Sequence, residues 1–465
     1  MIVLQIHEIF MFYFCELYHE IIKQEILRKG DGATKRASSS VYIIPSTKSS
    51  QMFLFHHHSC TIIIFSNILQ TYSISLRKYM RFDFVPFFNP GENIPWNLVI
   101  KMMREQTHLA EQADFTTVWL TEHHFAHNGY LNAPPNPIMM SCDLAAHSKK
   151  IRVGQAPIVL PDWHPLRVAE DIALLDNMTE GRVDFGAARG INERVTLQFN
   201  IEADRRDNEK SYRLFIESLE IILKAWTQTA LTYKGEFYEF PVPGWKETNR
   251  FLMPLEEKYH NKDGEYSAMY VHPRPYQHPH PPVWLMSNTP HIYKMAAEKG
   301  FNVIGMSSPP NKLLNCWDAY CSVDPVNGKT LKRGDGVGVC VVIYVAETME
   351  EADNTIRPAI NGYYEYLSGS RPEGGWTRKA YLDDDTEPTD EDLNGEWFDF
   401  LMKYDLIWVG TSDYVAEKIE KHRQLIGLKH IMLLQQFPGV DYQKILKSMT
   451  LFSENVIPKF GTDRN

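Results

Sequence analysis

From residue 80 onward the chain repeats one rhythm, a short strand pattern followed by a helical one, and no other feature restricts its fold as strongly. Residues 81–88 are aromatic and β-branched and end at Asn89-Pro90-Gly91, the composition of a strand closed by turn formers. Residues 97–113 place Leu98, Ile100, Met102, Met103, Leu109 and Ala110 at helical spacing. Further strands are predicted at 116–120, 151–160, 183–188, 283–286, 302–306, 336–346 and 430–435. Helices are predicted at 138–147, 165–177, 210–228, 291–299, 313–320, 349–367 and 442–456. Pro165 suits the first turn of its helix, and Thr411 or Ser412 can cap another that runs to Ile426. Eight strands, each followed by a helix, imply a parallel sheet with right-handed crossovers. Eight units favour an α/β fold of the closed (β/α)8 TIM-barrel type over an open doubly wound sheet. No GxGxxG follows the first strand, which also weighs against a dinucleotide-binding Rossmann domain.

Two stretches break the rhythm. Residues 232–280 are rich in Tyr, Pro, His and Lys, and residues 368–394 in Gly, Pro and Asp. They read as insertions after the fourth and seventh strand–helix units of a barrel spanning 80–460. A chain of 465 residues would ordinarily suggest two or three domains. One α/β barrel, however, can occupy about 250 residues or more.

Residues 1–79 have a different character. Apolar runs at 9–15 and 61–68 flank a stretch at 29–50 rich in Ser, Lys, Gly and Thr. Each run is shorter than the roughly 20 residues that span a bilayer, so no membrane segment is expected. The start is not basic, as a signal peptide requires. His56-His57-His58 offers imidazoles to a metal, but no second ligand cluster accompanies it. We expect Met80 to be the functional start, with the upstream residues an over-extended reading frame or a disordered extension. The six cysteines are scattered and form no CxxC pair, which suits a reducing cytoplasm rather than a disulfide scaffold or zinc site. A net charge of -10 excludes the basic footprint of a nucleic-acid binder.

Barrel enzymes carry their chemistry where strands end. The second strand runs into Thr121-Glu122-His123-His124-Phe125. A carboxylate and two imidazoles there suit proton transfer near neutral pH, with a buried, backbone-satisfied histidine as the alternative. No further His, Asp or Glu appears with ligand spacing at neighbouring strand ends, so no metal is expected. In the third strand, Pro157 removes a ladder donor; Ala156-Pro157 is either a cis bond presenting a flat wall or a plain kink. The fourth ends Gly186-Ala187-Ala188-Arg189-Gly190, small residues that admit a ligand to the backbone, then a cation suited to phosphate or to a structural salt bridge. The fifth ends Met286-Ser287-Asn288-Thr289-Pro290, an N-cap that doubles as an anion site.

These motifs, in this order, resemble the luciferase-like flavin monooxygenases, including the bacterial luciferase α subunit. The resemblance rests on 82–88, Val118-Trp119-Leu120-Thr121-Glu122-His123-His124-Phe125, and Ile158-Val159-Leu160-Pro161 with His164-Pro165. It continues through Ala169-Glu170-Asp171, Leu174-Leu175-Asp176, Gly181-Arg182, Phe185-Gly186, Arg189-Gly190 and Val409-Gly410-Thr411.

The resemblance implies FMN across the barrel mouth, its phosphate held by Arg189 with Ser287, Asn288 and Thr289. Ala156, Pro157, Ala187 and Ala188 would line the isoalloxazine. His123, titrating near neutral pH, would take the catalytic role, supported by Glu122 and His124. Reduced FMN, supplied by a separate flavin reductase, would react with O2 at C4a to give a peroxide that oxygenates a small apolar molecule such as an aldehyde, terpene or alkane. A cytoplasmic homodimer is implied. Alternatives are a deazaflavin-dependent oxidoreductase of the same superfamily and a non-catalytic flavin-binding subunit. Ala188 stands where luciferase has a reactive cysteine, and Asn288 where it has an acid, so light emission is not implied.

Overall fold

The computed structural model describes residues 80–86, 93–125, 132–191, 193–246, 248, 255–306, 308–324, 330–370, 377–383, 385–435 and 438–461. The extension at 1–79, its histidine run and Asn89-Pro90-Gly91 lie outside them.

Parallel strands alternate with helices as the rhythm requires. In chain order these are β1 Arg81–Val85, α1 Trp96–Gln112, β2 Thr117–Leu120, α2 Pro137–Ala146, β3 Arg152–Gln155, β4 Ile158–Val159, α3 Pro165–Met178 and β5 Val183–Ala188. They continue with α4 Glu193–Phe199, α5 Asn208–Thr227, the antiparallel pair β6 Tyr233–Lys234 and β7 Glu239–Phe240, β8 Val283–Met286, α6 Pro290–Lys299, β9 Asn302–Met306 and α7 Pro310–Cys321. The last are β10 Val337–Ala346, α8 Met349–Ser370, α9 Asp390–Asn394, α10 Trp397–Lys403, β11 Ile407–Thr411, α11 Ser412–Ile426, β12 His430–Leu434, α12 Tyr442–Asn455 and α13 Ile457–Phe460.

The neighbour order β10-β12-β1-β2-β3-β5-β8-β9 closes on itself through β9–β10 pairing. The fold is therefore an eight-stranded parallel barrel of the (β/α)8 type. Ile407–Thr411, anticipated only as the cap of the following helix, is an additional strand. Val339 and Cys340 pair with both β9 and β12, whereas Val342 pairs with both β11 and β12. Hence β11 takes the edge of β10 that β9 occupies lower down and extends the wall at the C-terminal end.

Strand alternation sorts the side chains into two layers. Phe82 and Phe84 face outward, where they meet Phe452 and Phe115 at ring separations of 5.6 and 5.7 Å. Inside the barrel, Trp119 and Trp284 meet edge to face at 5.6 Å. Two glycines leave room for them. A Cβ on Gly154 would lie 2.4 Å from the Trp119 ring, and one on Gly186 only 1.7 Å from the Gln155 carbonyl oxygen.

Charge fills the interior at the N-terminal ends of the strands. Arg81 donates from Nε to Asp83 and from Nη2 to Thr117 Oγ1 at 2.7 Å and Asp184 Oδ2 at 2.9 Å. Arg152 also donates to Asp184, while Trp119 Nε1 donates to Asp83 at 2.7 Å. His430 Nε2 lies 2.7 Å from the same Asp83 oxygen. Burial alone would raise both carboxyl groups, but Arg81 with His430 holds Asp83 below the usual range, and Arg152 with Arg81 does the same for Asp184. This network closes the end of the barrel opposite the strand ends that carry the candidate chemistry.

Between α5 and β8, the β6–β7 turn is anchored by Glu217, whose buried carboxylate accepts from the backbone N–H groups of Glu236, Phe237 and Tyr238. Among the described residues, no helix is long and apolar enough to cross a membrane.

Candidate active site

The polar residues at the end of β2 separate into different environments. Glu122 is buried, and its carboxylate accepts from Val159 N–H at 2.8 Å and Trp163 Nε1–H at 2.9 Å. His124 Nε2 lies 2.8 Å from Glu122 Oε1. Glu122 thus ties the β2 end to β4 and to the turn at 160–162. The His124 ring also packs 4.6 Å from Phe199, and Phe125 stacks on Phe199 at 5.7 Å. Phe125 has a φ of 64°, a left-handed conformation unusual for an aromatic residue. Phe125 and Phe199 are exposed and form an apolar rim.

His123 lies between Glu122 and His124 in the chain. Its backbone N–H donates to the Pro134 carbonyl at 3.1 Å. Burial, aided by the neighbouring His124, pushes its imidazole down to about 3. Its expected titration near neutral pH is therefore corrected: desolvation disfavours the cation, and the ring is neutral at pH 7.

The structure also brings in a residue that the sequence reading missed. Asp162, in the turn after β4, joins Glu122 and His124 so that one ligand atom from each lies within 4.8 Å of the others. Neither Asp162 carboxylate oxygen has a hydrogen-bond partner, and both are buried. Burial and the Glu122 charge push this carboxyl up to about 8. The expectation that no further His, Asp or Glu stands with ligand spacing at a neighbouring strand end is corrected, because Asp162 follows β4 in the turn at 160–162. An acid following Leu160-Pro161 was the available signal.

The wall between β3 and β5 is built from small side chains. Gly154 and Ala156 on one strand, with Gly186 and Ala188 on the other, occupy interior positions above and beside the tryptophan pair. The Ala156–Pro157 bond is cis. Ile158 pairs with Ala187 and Val159 with Ala188. Ala187 alternates outward into the core between barrel and helices, so its methyl group does not line the mouth as expected. Ala188 and Ala156 face inward and are half-buried.

Arg189 follows directly, and the Ala187–Leu285 pairing sets it beside Ser287 on the adjacent strand end. Arg189 Nη1 donates to the Asn208 carbonyl and Oδ1, both at 2.8 Å. Ser287 Oγ accepts from Thr289 N–H at 3.1 Å. Thr289 occupies the N-cap of α6 without a side-chain cap bond, and no acid stands in the first turn. No acid within its first turn offsets the positive end of that helix.

Asn288 behaves differently from expectation. Its Nδ2 donates to the Met306 carbonyl at 3.2 Å and Ser308 Oγ at 2.8 Å, and its Oδ1 accepts from Met306 N–H at 2.7 Å. The amide bridges the ends of β8 and β9. Asn208, Tyr212 and His291 complete this end of the mouth. The last two rings are 6.4 Å apart. They escaped sequence reading because only tertiary packing brings the starts of α5 and α6 to Arg189.

A family profile described as luciferase-like monooxygenase matches residues 80–430. The alkanal monooxygenase alpha chain of a Kryptophanaron alfredi symbiont is 25% identical over 379 residues, covering 77% of this chain and 92% of that one. The FMN-bound oxygenating constituent of 3,6-diketocamphane monooxygenase from Pseudomonas putida aligns with a TM-score of 0.62 at 21% identity, over 83% of this chain and 100% of that chain. The coenzyme F420 dependent tetrahydromethanopterin reductase of Methanopyrus kandleri aligns with a TM-score of 0.51 at 16% identity, over 82% and 99% respectively.

Proposed function

The chain belongs to the luciferase-like monooxygenase family, and on that premise we propose that it is the oxygenase component of a two-component flavin system. It would receive reduced FMN from a separate reductase and insert one atom of O2 into a small apolar molecule of the aldehyde, terpene or alkane kind. The observation that carries this function is one surface: the small residues Gly154, Ala156, Gly186 and Ala188 with Pro157, leading to Arg189 and the N-terminus of α6, whose first turn carries no acid.

That surface fits FMN. A planar ring needs the flat wall of Ala156, Pro157 and Ala188, and a phosphate needs the Arg189 donors, Ser287 and the N–H groups near Thr289. When bound, reduced FMN supplies the electrons that activate oxygen. The chain's own residues do the rest. Phe125 and Phe199 shield the mouth from water. His123, as a neutral imidazole, accepts or delivers a proton at a ring nitrogen. Glu122 and His124 position the β2 end that carries it. The Pseudomonas putida neighbour, an oxygenating constituent in complex with FMN, supports both the cofactor and the division of labour.

This function extends to a cytoplasmic homodimer with a single barrel unit over 80–460, the 232–280 and 368–394 stretches being insertions in it. Met139 on α2 and Leu174 and Met178 on α3 are exposed and offer an apolar face for self-pairing. Light scattering of purified protein checks the dimer.

Oxygen uptake with a flavin reductase, FMN and a panel of aldehydes, terpenes and alkanes tests the activity. Uptake coupled to an oxygenated product supports it; flavin binding with no coupled product from any substrate argues against it. The Methanopyrus neighbour favours a second possibility, hydride transfer with a deazaflavin. Protection from thermal unfolding by a deazaflavin but not by FMN, with no oxygen consumed, would select it.

A further inference from the structure

We propose that Glu122, His124 and Asp162 form a binding site for one divalent transition-metal ion of the zinc type. The site lies beside the flavin surface and does not depend on the flavin proposal. Three observations carry it. The ligand atoms come from two chain segments, yet all lie within 4.8 Å of one another. Ligands about 2.0–2.2 Å from a common ion are separated by roughly 4 Å at most, so only a small closure is required. Both Asp162 carboxylate oxygens are buried without a hydrogen-bond partner, although they sit beside a second buried carboxylate. Two carboxylates in such a place need a cation or a proton, and among the described residues no lysine or arginine forms an ion pair with either.

The third observation is that the ligands are already oriented. Val159 N–H and Trp163 Nε1–H hold the Glu122 carboxylate, and Phe199 packs against the His124 ring. Such outer contacts are what a metal ligand requires to keep its lone pair directed at the ion. One imidazole nitrogen and two carboxylates suit zinc or its cobalt substitute better than a soft thiolate-seeking ion. On binding, the neutral His124 ring carries its proton on Nδ1 and turns the Nε2 lone pair from Glu122 to the metal, and any proton displaced from the three ligands passes to solvent. The ion then fastens the β2 end to the turn at 160–162 and leaves a fourth position for water.

The test uses the full chain carrying His56→Ala, His57→Ala and His58→Ala, so that the N-terminal histidine run cannot supply the ion. After metal stripping, Co2+ titration should give one ion per chain with visible absorption bands. Asp162→Asn should weaken that binding by about tenfold or more while far-UV circular dichroism stays unchanged. Equal Co2+ affinity in the parent and Asp162→Asn overturns the site, as does absence of Co2+ binding by the parent. Should Asp162→Asn fail to fold, crystals of the parent soaked in zinc decide. An anomalous peak between the three residues supports the assignment, and its absence there refutes it.

Discussion

Single residues divide the mouth between chemistry and support. His124 is bound to Glu122, and we expect His123→Ala to retain flavin binding while slowing turnover by roughly 10²-fold or more. Steady-state oxygen uptake checks this; unchanged turnover would remove His123 from the reaction. Arg189 is argued to meet only the phosphate. Arg189→Ala should therefore weaken FMN by about tenfold or more and leave riboflavin nearly unaffected, as measured by fluorescence titration of the two flavins. A third residue-scale test concerns space. An added methyl at Gly186 would sit 1.7 Å from a backbone oxygen, so Gly186→Ala should cost about 3 kcal/mol or more, read from urea unfolding. That Glu122, His123 and His124 stand together at a strand end was legible from the sequence. The split among them was not, because adjacent residues in a loop have no fixed facing until Trp163 and Val159 arrive to claim the carboxylate.

At the scale of elements, alternation decided most assignments. It made Ala188 a mouth residue and sent Ala187 into the outer core, a distinction two identical side chains cannot announce by type. It also explains why β11 was overlooked. Five residues leading straight into a helix read as a cap, and only the length of β10 provides an edge for them. The β6–β7 turn depends on a carboxylate from another element. Glu217→Ala strips three backbone N–H groups of their acceptor, so it should destabilise that turn by about 1–3 kcal/mol. Hydrogen exchange should accelerate at Glu236, Phe237 and Tyr238 while the barrel strands stay protected; unchanged protection would show that the turn holds by itself.

For the whole molecule, the ionic floor links stability to pH. Asp83 and Asp184 ionise more readily in the fold than in the unfolded chain. Groups depressed in this way contribute stability that is fully present above their unfolded value of about 4 and is lost as pH falls through the folded value. The barrel should therefore weaken below about pH 4, and Asp184→Asn should flatten that acid limb while costing roughly 3–5 kcal/mol at pH 7 by leaving Arg81 and Arg152 underpaired. Thermal melts from pH 3 to 7 measure both; an unaltered acid limb would mean other carboxylates govern it. The sequence by itself determined the barrel, because each strand and helix carries its own period and eight such units have few ways to close. It also determined which strand ends hold polar chemistry. Only the tertiary structure decided which of those groups meet: Asp162 with Glu122, Asn208 with Arg189, and Asn288 with the end of β9. Local periodicity fixes the direction of a side chain along its own element, whereas contacts between loops depend on how neighbouring strands are staggered, and no single segment encodes that.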